Sequence, residues 1–430
     1  MTAAWVASLI FLITFVALMT DWAHHTIVAW IGAAAMMAAG LLLGFYSQEQ
    51  ALAAIDFNTL GLFLGMMLLM AMLGKTGVFE YLAIQAGQRS GGDPWRLLLL
   101  LGGLTALVSM FLNNLTVIIL MAPVTLLVAN KLRINPVPLL MGEAMLSNIG
   151  GTATLIGDPP NTMIGSAAGF TFNHFLWVLL PIVIVAYFPT LWAIRWVFAE
   201  DLRQCSHQLD ELNALRPADS IRDAPALMKL LLVLGVVLVL FVLQGSLPLT
   251  LWYITFLGVG LAMIWVRPNP EETLKEIEWS TLLFFTCLFV IVGGLEAAGV
   301  MKLAAGILRD FTGSHLLLAA VLLIWVAALL TAIIDNIPFV VAMIPILKSL
   351  GAEGLSVEPL WWALALGAGF GGNGTPIGAS ANILVIALSK RAGHQITFRT
   401  WVRCGAFATV VSCAVGTAVF LIIFGLLKTL

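Results

Sequence analysis

Polar, glycine-rich backbone in the middle of an apolar chain is the feature that most restricts how this sequence can fold. Residues Ser147 to Asn161 read S-N-I-G-G-T-A-T-L-I-G-D-P-P-N, between long runs of Leu, Val and Ala. Such backbone cannot face lipid, because each unpaired N–H or C=O in hydrocarbon costs several kcal/mol. It is tolerated only where protein buries it or where it lines a cavity. The stretch occurs twice: Gly371 to Asn382 reads G-G-N-G-T-P-I-G-A-S-A-N. At a shift of 221 positions, Gly150, Gly151, Thr154, Ile156, Gly157 and Asn161 meet Gly371, Gly372, Thr375, Ile377, Gly378 and Asn382. A duplicated, broken, polar-tipped segment in a membrane chain points to the substrate site of a transporter.

Composition supports the membrane reading. The 430 residues are 61% hydrophobic and 10% charged, with a mean hydropathy of +1.04. Soluble domains carry about 25% charged residues. A net charge of −2 gives no sign of a nucleic-acid partner. Cys205, Cys287, Cys404 and Cys413 have neither paired nor metal-type spacing, and no cofactor motif stands out. The first apolar segment lacks a basic leader and is followed by Asp21-Trp-Ala-His-His25, so it reads as a retained helix rather than a cleaved signal. His24 and His25 then read as solvated or interfacial.

A span of about 20 apolar residues crosses a bilayer. That rule predicts helices near 3–20, 26–45, 58–74, 95–130, 175–196, 226–243, 248–266, 279–297, 315–348 and 399–427. The segments 137–166 and 358–390, interrupted by the glycine motifs, read as re-entrant hairpins. Two of the ten helices are too long. About 34 residues would extend about 51 Å against about 30 Å of hydrocarbon. Both carry a polar break, Asn113-Asn114-Leu115-Thr116 in one and Asp335-Asn336-Ile337-Pro338 in the other, equivalent at a shift of 222. Pro338 is expected to kink or unwind its helix.

The same register aligns Asn58-Thr59-Leu60 with Ser280-Thr281-Leu282, and Met121 and Pro123 with Met343 and Pro345. The fold class expected is therefore all-α and polytopic: two repeats of five spans, inverted because five is odd. The first repeat covers residues 1–199, a cytoplasmic linker covers 200–225, and the second repeat covers 226–430. On this topology fifteen Lys and Arg share the linker's face, Lys348 among them. Five (Lys131, Arg133, Lys302, Arg309 and Lys428) take the other. The basic face should be cytoplasmic, which puts both termini outside.

Helix breaks near a bilayer midplane offer unpaired N–H groups at helix N-termini and carbonyls at C-termini. Asn113, Asn114, Thr116, Asn148, Thr152, Thr154, Asn161, Asn336, Asn373, Thr375, Ser380 and Asn382 add neutral donors and acceptors, while Gly151 and Gly372 permit close approach. The alternative is that these residues only glue helices together. An intramembrane carboxylate is a functional candidate by default. Asp335 stands where the other repeat has Asn113, Asp158 follows the first glycine motif, and Glu143 lies on the arm entering it.

On these residues the chain resembles the ion-transporter superfamily, in its ArsB/NhaD and P-protein branch. The motifs are I-D-F-N-T-L-G-L at 55–62, T-G-V-F-E-Y-L-A at 76–83, G-D-P-W-R-L-L-L at 92–99, the stretch 147–161 and D-N-I-P-F at 335–339. The resemblance implies a homodimer of inverted-repeat protomers with elevator-like transport. It also implies export of arsenite or antimonite, exchange of sodium for protons, or carriage of organic anions. Asn113 departs from the P-protein branch, which usually has Asp there. Asp335-Asn336 departs from the arsenite pumps, which tend to have Asn-Asn. The expectation is a non-enzymatic, proton-coupled arsenite/antimonite permease of the cell inner membrane, an ATPase subunit remaining an open additional partner. A sodium/proton antiporter and an organic-anion carrier are the alternatives.

Overall fold

The computed structural model describes residues 2–20, 23–206, 209–301, 306 and 315–426. Lys302, Arg309, Lys428 and the end of the chain lie outside the described residues. The first half runs through α1 (Thr2–Met19), α2 (His25–Leu43), α3 (Gln48–Ala54), α4 (Phe57–Lys75) and α5 (Val78–Ser90). It continues with α6 (Pro94–Ser109), α7 (Asn114–Leu132), α8 (Val137–Gly151), α9 (Pro159–Ala168) and α10 (Phe172–Val197). After a linker containing the short α11 (Leu209–Asn213) come α12 (Ala224–Leu243), α13 (Leu251–Val266), α14 (Pro270–Lys275) and α15 (Trp279–Ala297). The chain closes with α16 (Leu316–Ile333), α17 (Asn336–Ala352), α18 (Glu358–Gly371), α19 (Ser380–Arg391) and α20 (Phe398–Leu426). Nine of the described helices are long and apolar enough to cross a membrane.

The repeat register extends to the element boundaries. Thr2 and Ala224, Gln48 and Pro270, Phe57 and Trp279, Pro94 and Leu316, and Asn114 and Asn336 all begin helices 222 residues apart. Val137 and Glu358, then Pro159 and Ser380, do so at 221. Caps written into the sequence set several of these starts. Asp56 accepts from the backbone N–H groups of Asn58 and Thr59, and Asp93 from those of Trp95 and Arg96.

The roles expected of the interrupted segments are exchanged. Gly142 lies against Leu98, Leu146 against Gly102 and Gly150 against Ala106, so α6 and α8 run parallel. Both start at the face that carries the linker. The Asn135 amide donates to Asp201 at 2.9 Å, Lys131 pairs with Glu211 at 3.4 Å, and the Ser206 N–H donates to the Gly92 carbonyl at 2.8 Å. The helix α7 must therefore run back to the face α6 came from. Residues 94–132 are a re-entrant hairpin with its tip at Met110–Asn113.

The expected hairpin at 137–166 instead goes through. Its second arm, α9, packs on α17 and α18 rather than returning along α8. It ends where Ser166 and Gly169 share a crevice with Thr250 and Leu251, and Asn173 donates to the Val242 carbonyl at 2.7 Å, on the face opposite the linker. The second half repeats the pattern. Gly367 lies against Ile324 and Ala327, and Gly371 against Ala328 and Thr331, so α16 and α18 are parallel, while α19 packs on α7 and α8. The hairpins are thus 94–132 and 316–352, and the broken crossings 137–168 and 358–391.

Among the described residues, ten crossings and two hairpins remain, with the two repeats inverted. Lys131 and Arg133 move to the linker face. Lys348 moves to the other, where it lines a cavity with Asp56 and Glu296. The long helix expected over 315–348 is interrupted at Ile334–Asp335, just ahead of Pro338. That proline sits in the first turn of α17, where its missing N–H has no helical partner to lose. The helices form two groups. One comprises α1, α2, α4, α12, α13 and α15; the other, holding both hairpins and both broken crossings, comprises α6–α10 and α16–α20.

Candidate functional site

Each hairpin tip is pressed against the break of the crossing helix in its own repeat. Thr154 donates its hydroxyl to the Met110 carbonyl, and its mate Thr375 donates to the Ala332 carbonyl. Asn161 ties its loop together by donating to the carbonyls of Gly151, Thr152 and Thr154 at 3.2, 3.0 and 2.8 Å. Its mate Asn382 donates to those of Gly372 and Thr375 at 2.7 and 3.0 Å. These asparagines satisfy carbonyls that a helix break leaves without partners. Their first role is to make a break stable in apolar surroundings.

Between the two breaks the repeats meet through a chain of amides. Asn148, 2% exposed, donates to Asn373 Oδ1 at 2.8 Å and to Asn382 Oδ1 at 3.2 Å, and accepts from Asn114 Nδ2 at 3.2 Å. Asn114 in turn accepts from Ser109 Oγ at 2.5 Å, and Ser109 reaches Ser147 Oγ at 3.0 Å. Asn373 donates to the Met145 carbonyl at 3.1 Å, and Trp401 Nε1 donates to the Asn373 carbonyl at 3.1 Å. Each amide is used as both donor and acceptor, which holds the loops in one arrangement. Every side chain in this network is uncharged.

The carboxylates separate into two places. Asp158, 4% exposed, occupies the N-cap position of α9 but caps nothing; its Oδ2 accepts from Asn336 Nδ2 at 3.1 Å. It is within electrostatic reach of Asp335. Asp335 caps α17 through the Ile337 N–H at 3.3 Å and accepts from Ser380 Oγ at 3.0 Å. Asn113 caps α7 in the same way, through the Leu115 N–H at 3.2 Å. Glu143 stands apart. It is fully buried about 7.5 Å along α8 from Asn148, accepts from Thr125 Oγ1 at 2.5 Å, and leaves its other oxygen without a partner.

Of the sequence candidates, Asn114, Asn148, Asn373 and Asn382 meet directly, and Asp158, Asn336, Asp335 and Ser380 form a second, contiguous set. Thr152 bonds back to the Asn148 carbonyl within its helix. Gly151 admits Asn114, while Gly372 faces Gly378. Thr116 points out of the amide network: its hydroxyl donates to Glu278 Oε1 at 2.9 Å, at the edge of a cavity of about 500 Å³ on the linker face.

Sequence reasoning missed Ser109, Ser147, Glu278 and His25. The last lines a cavity of about 280 Å³ with Asp335 and Ser380. The register aligning Asn58-Thr59 with Ser280-Thr281, carried two residues back, pairs Asp56 with Glu278 and would have exposed that acid. Burial raises the Glu278 carboxyl above its ordinary value, against the lowering effect of the Thr116 and Thr281 hydroxyls.

Comparison with known proteins places this architecture. Residues 15–367 match the CitMHS model, described as citrate transporter. A 46 kDa membrane protein of Mycobacterium leprae is 41% identical over 421 residues, covering 95% of this chain and 96% of that one. An uncharacterized transporter of Mycobacterium tuberculosis is 40% identical over 415 residues, covering 95% and 96%. The human P protein is 32% identical over 482 residues, covering 93% of this chain and 57% of its own length. Among solved structures, the YdaH transporter of Alcanivorax borkumensis aligns with a TM-score of 0.59 at 15% identity, covering 86% of each chain, a likeness of fold. The chain belongs to the CitMHS citrate-transporter family of the ion-transporter superfamily and is a membrane transporter.

Proposed function

We propose that this transporter works by alternating access, moving the hairpin-bearing group of helices against the other group. Its substrate in this reading is arsenite or antimonite, exported in exchange for protons. The observation that carries the substrate is the amide network. Asn114, Asn148, Asn373 and Asn382 offer donors and acceptors with no cation among their hydrogen-bond partners. An uncharged trihydroxy solute, the dominant form of arsenite at neutral pH, needs such groups and no counter-charge. Asp335 and Asp158 then carry the coupling proton, because buried like charges do not both ionise readily. Glu143, buried apart from that pair on α8, is a further proton carrier in this reading.

A second reading, an organic anion carried with cations, draws support from the family model that the chain matches. In it the two aspartates hold the cations and supply the charge balance. A sodium/proton antiporter is the third, with Asp335 and nearby carbonyls as hard oxygen ligands for sodium.

Proteoliposomes with an imposed pH gradient separate these readings. Arsenite or antimonite accumulation driven by the gradient, with no response to citrate, supports the first. Citrate accumulation without arsenite movement establishes the second, and sodium flux alone the third. We place the chain in the cell inner membrane as a homodimer, with the linker cytoplasmic and both termini outside. An ATPase subunit is not needed for this cycle.

A further inference from the structure

The titratable groups at the two hairpin tips are unequally distributed. Asp335 shares two cavities with His25, one also lined by His24, Thr26, Ser280, Thr281 and Ser380, the other closed by Leu18, Ile333 and Pro338. His25 opens α2 and is half-buried, its ring 6.2 Å from that of Phe284. The repeat register carries Asp335 to Asn113 and His25 to Leu247. An acid and a base therefore face each other at one tip, and both are missing from the equivalent place at the other. The tip does not need the acid to form, because Asn113 caps α7 in the way Asp335 caps α17.

The two residues also belong to different bodies. His25 is on α2, which packs with α1 and α15, whereas Asp335 heads α17 in the hairpin-bearing group. The exposed His24 lies next to it on the linker face, where the hydroxyl of Thr26 bonds to the Ser280 carbonyl at the start of α15. Water on that face thus reaches a cavity that the imidazole and the carboxylate line together. If the hairpin group moves toward the opposite face, Asp335 leaves His25 behind. The cavity they share then exists at one end of the cycle.

We infer that His25 is the proton-transfer residue through which Asp335 exchanges its proton with the linker-face solution. In the loading direction the imidazolium N–H bond breaks as an Asp335 O–H bond forms, and the neutral imidazole recovers a proton from water. Release is the reverse. The other described titratable groups near this path are His24, Glu278 at the head of α15 and Asp158 behind Asp335. The inference rests on Asp335 as coupling site but on no particular substrate.

The test therefore avoids substrate. Full-length protein in nanodiscs is subjected to a pH jump while the carboxylic-acid band is followed by time-resolved infrared spectroscopy, with Asp335→Asn identifying the Asp335 component. We expect His25→Gln and His25→Asn to retain that component and slow its appearance at least tenfold. Added imidazole should restore the rate in His25→Gly, and His24→Asn, which keeps a capping acceptor, should behave as wild type. A wild-type rate in the folded His25 variants overturns the inference while leaving Asp335 in its role. Absence of any component sensitive to Asp335→Asn removes the coupling role itself, and the relay with it.

Discussion

The two glycines at the loop starts occupy equivalent positions but unequal surroundings, which makes a graded perturbation informative. A methyl group on Gly151 would lie inside van der Waals contact with Asn114 Oδ1 and 3.0 Å from the Gly157 carbonyl. Neither can yield freely: Asn114 is held by Ser109 at 2.5 Å and donates to Asn148 at 3.2 Å. Overpacking costs about 1–3 kcal/mol, and the hydrogen bond disturbed adds about 1 kcal/mol, so Gly151→Ala should lose about 2–4 kcal/mol. At Gly372 the nearest atoms are the Gly378 carbonyl at 3.2 Å and the Ala379 methyl at 3.5 Å. A shift of a few tenths of an ångström suffices there, and the loss should be about 1 kcal/mol or less, the low end of overpacking. A gap of about 2 kcal/mol changes the folded-to-unfolded ratio roughly 30-fold. Titration with sodium dodecyl sulfate, followed by circular dichroism on protein in bicelles, measures it, with transport assayed in parallel. Equal midpoints for the two variants, or a larger loss at Gly372, would refute the packing asymmetry.

Three other outcomes follow from the geometry. Asp335→Asn keeps an acceptor for the Ile337 N–H, so it should fold, continue downhill exchange and lose gradient-driven accumulation; normal uphill transport would move the coupling role to Asp158 or Glu143. Glu278 has a folded-state pKa raised by burial above the ordinary 4.5, so its contribution to stability is full below that value and is lost as pH rises through the raised one. Glu278→Gln should flatten this part of the pH–stability curve, and an unchanged curve would assign the dependence elsewhere. Single cysteines at Asn135 and Lys348 should label from opposite sides of the membrane, with Asn135 on the side of the exposed native Cys205; Lys348 labelling from the side of Cys205 and Asn135 from the opposite side would restore the hairpins at 137–166 and 358–390.

Much of the candidate site was visible in the primary structure, because a break in a membrane helix must bring its own hydrogen-bond partners. Asn161 and Asn382 stand in equivalent positions and do equivalent work on loop carbonyls. The cross-repeat contacts were not visible. Asn148 has Gly369 as its mate and Asn373 has Thr152, so the bond between Asn148 and Asn373 joins two residues that the repeat itself does not pair. Asp158 reads from its position before Pro159 as either a helix cap or a lining group of the site. Only the approach of Asn336 from the other repeat turns it toward the site.

Hydropathy and the duplicated motifs determined the membrane class, the inverted repeat and the presence of two turned-back and two interrupted segments. They did not determine which was which. An apolar run with Asn-Asn-Leu-Thr at its centre supplies two arms of bilayer-compatible length whether the second arm continues or returns. A run interrupted by Gly-Gly-Thr-Ala-Thr is equally silent. Direction after a break is decided by what the second arm packs against, and that lies elsewhere in the chain. Gly102, Gly142 and Gly150 let α6 and α8 run side by side in parallel. With the ends of α7 and the linker bonded at one face, α7 has to return, and α9 is left to cross between α17 and α18.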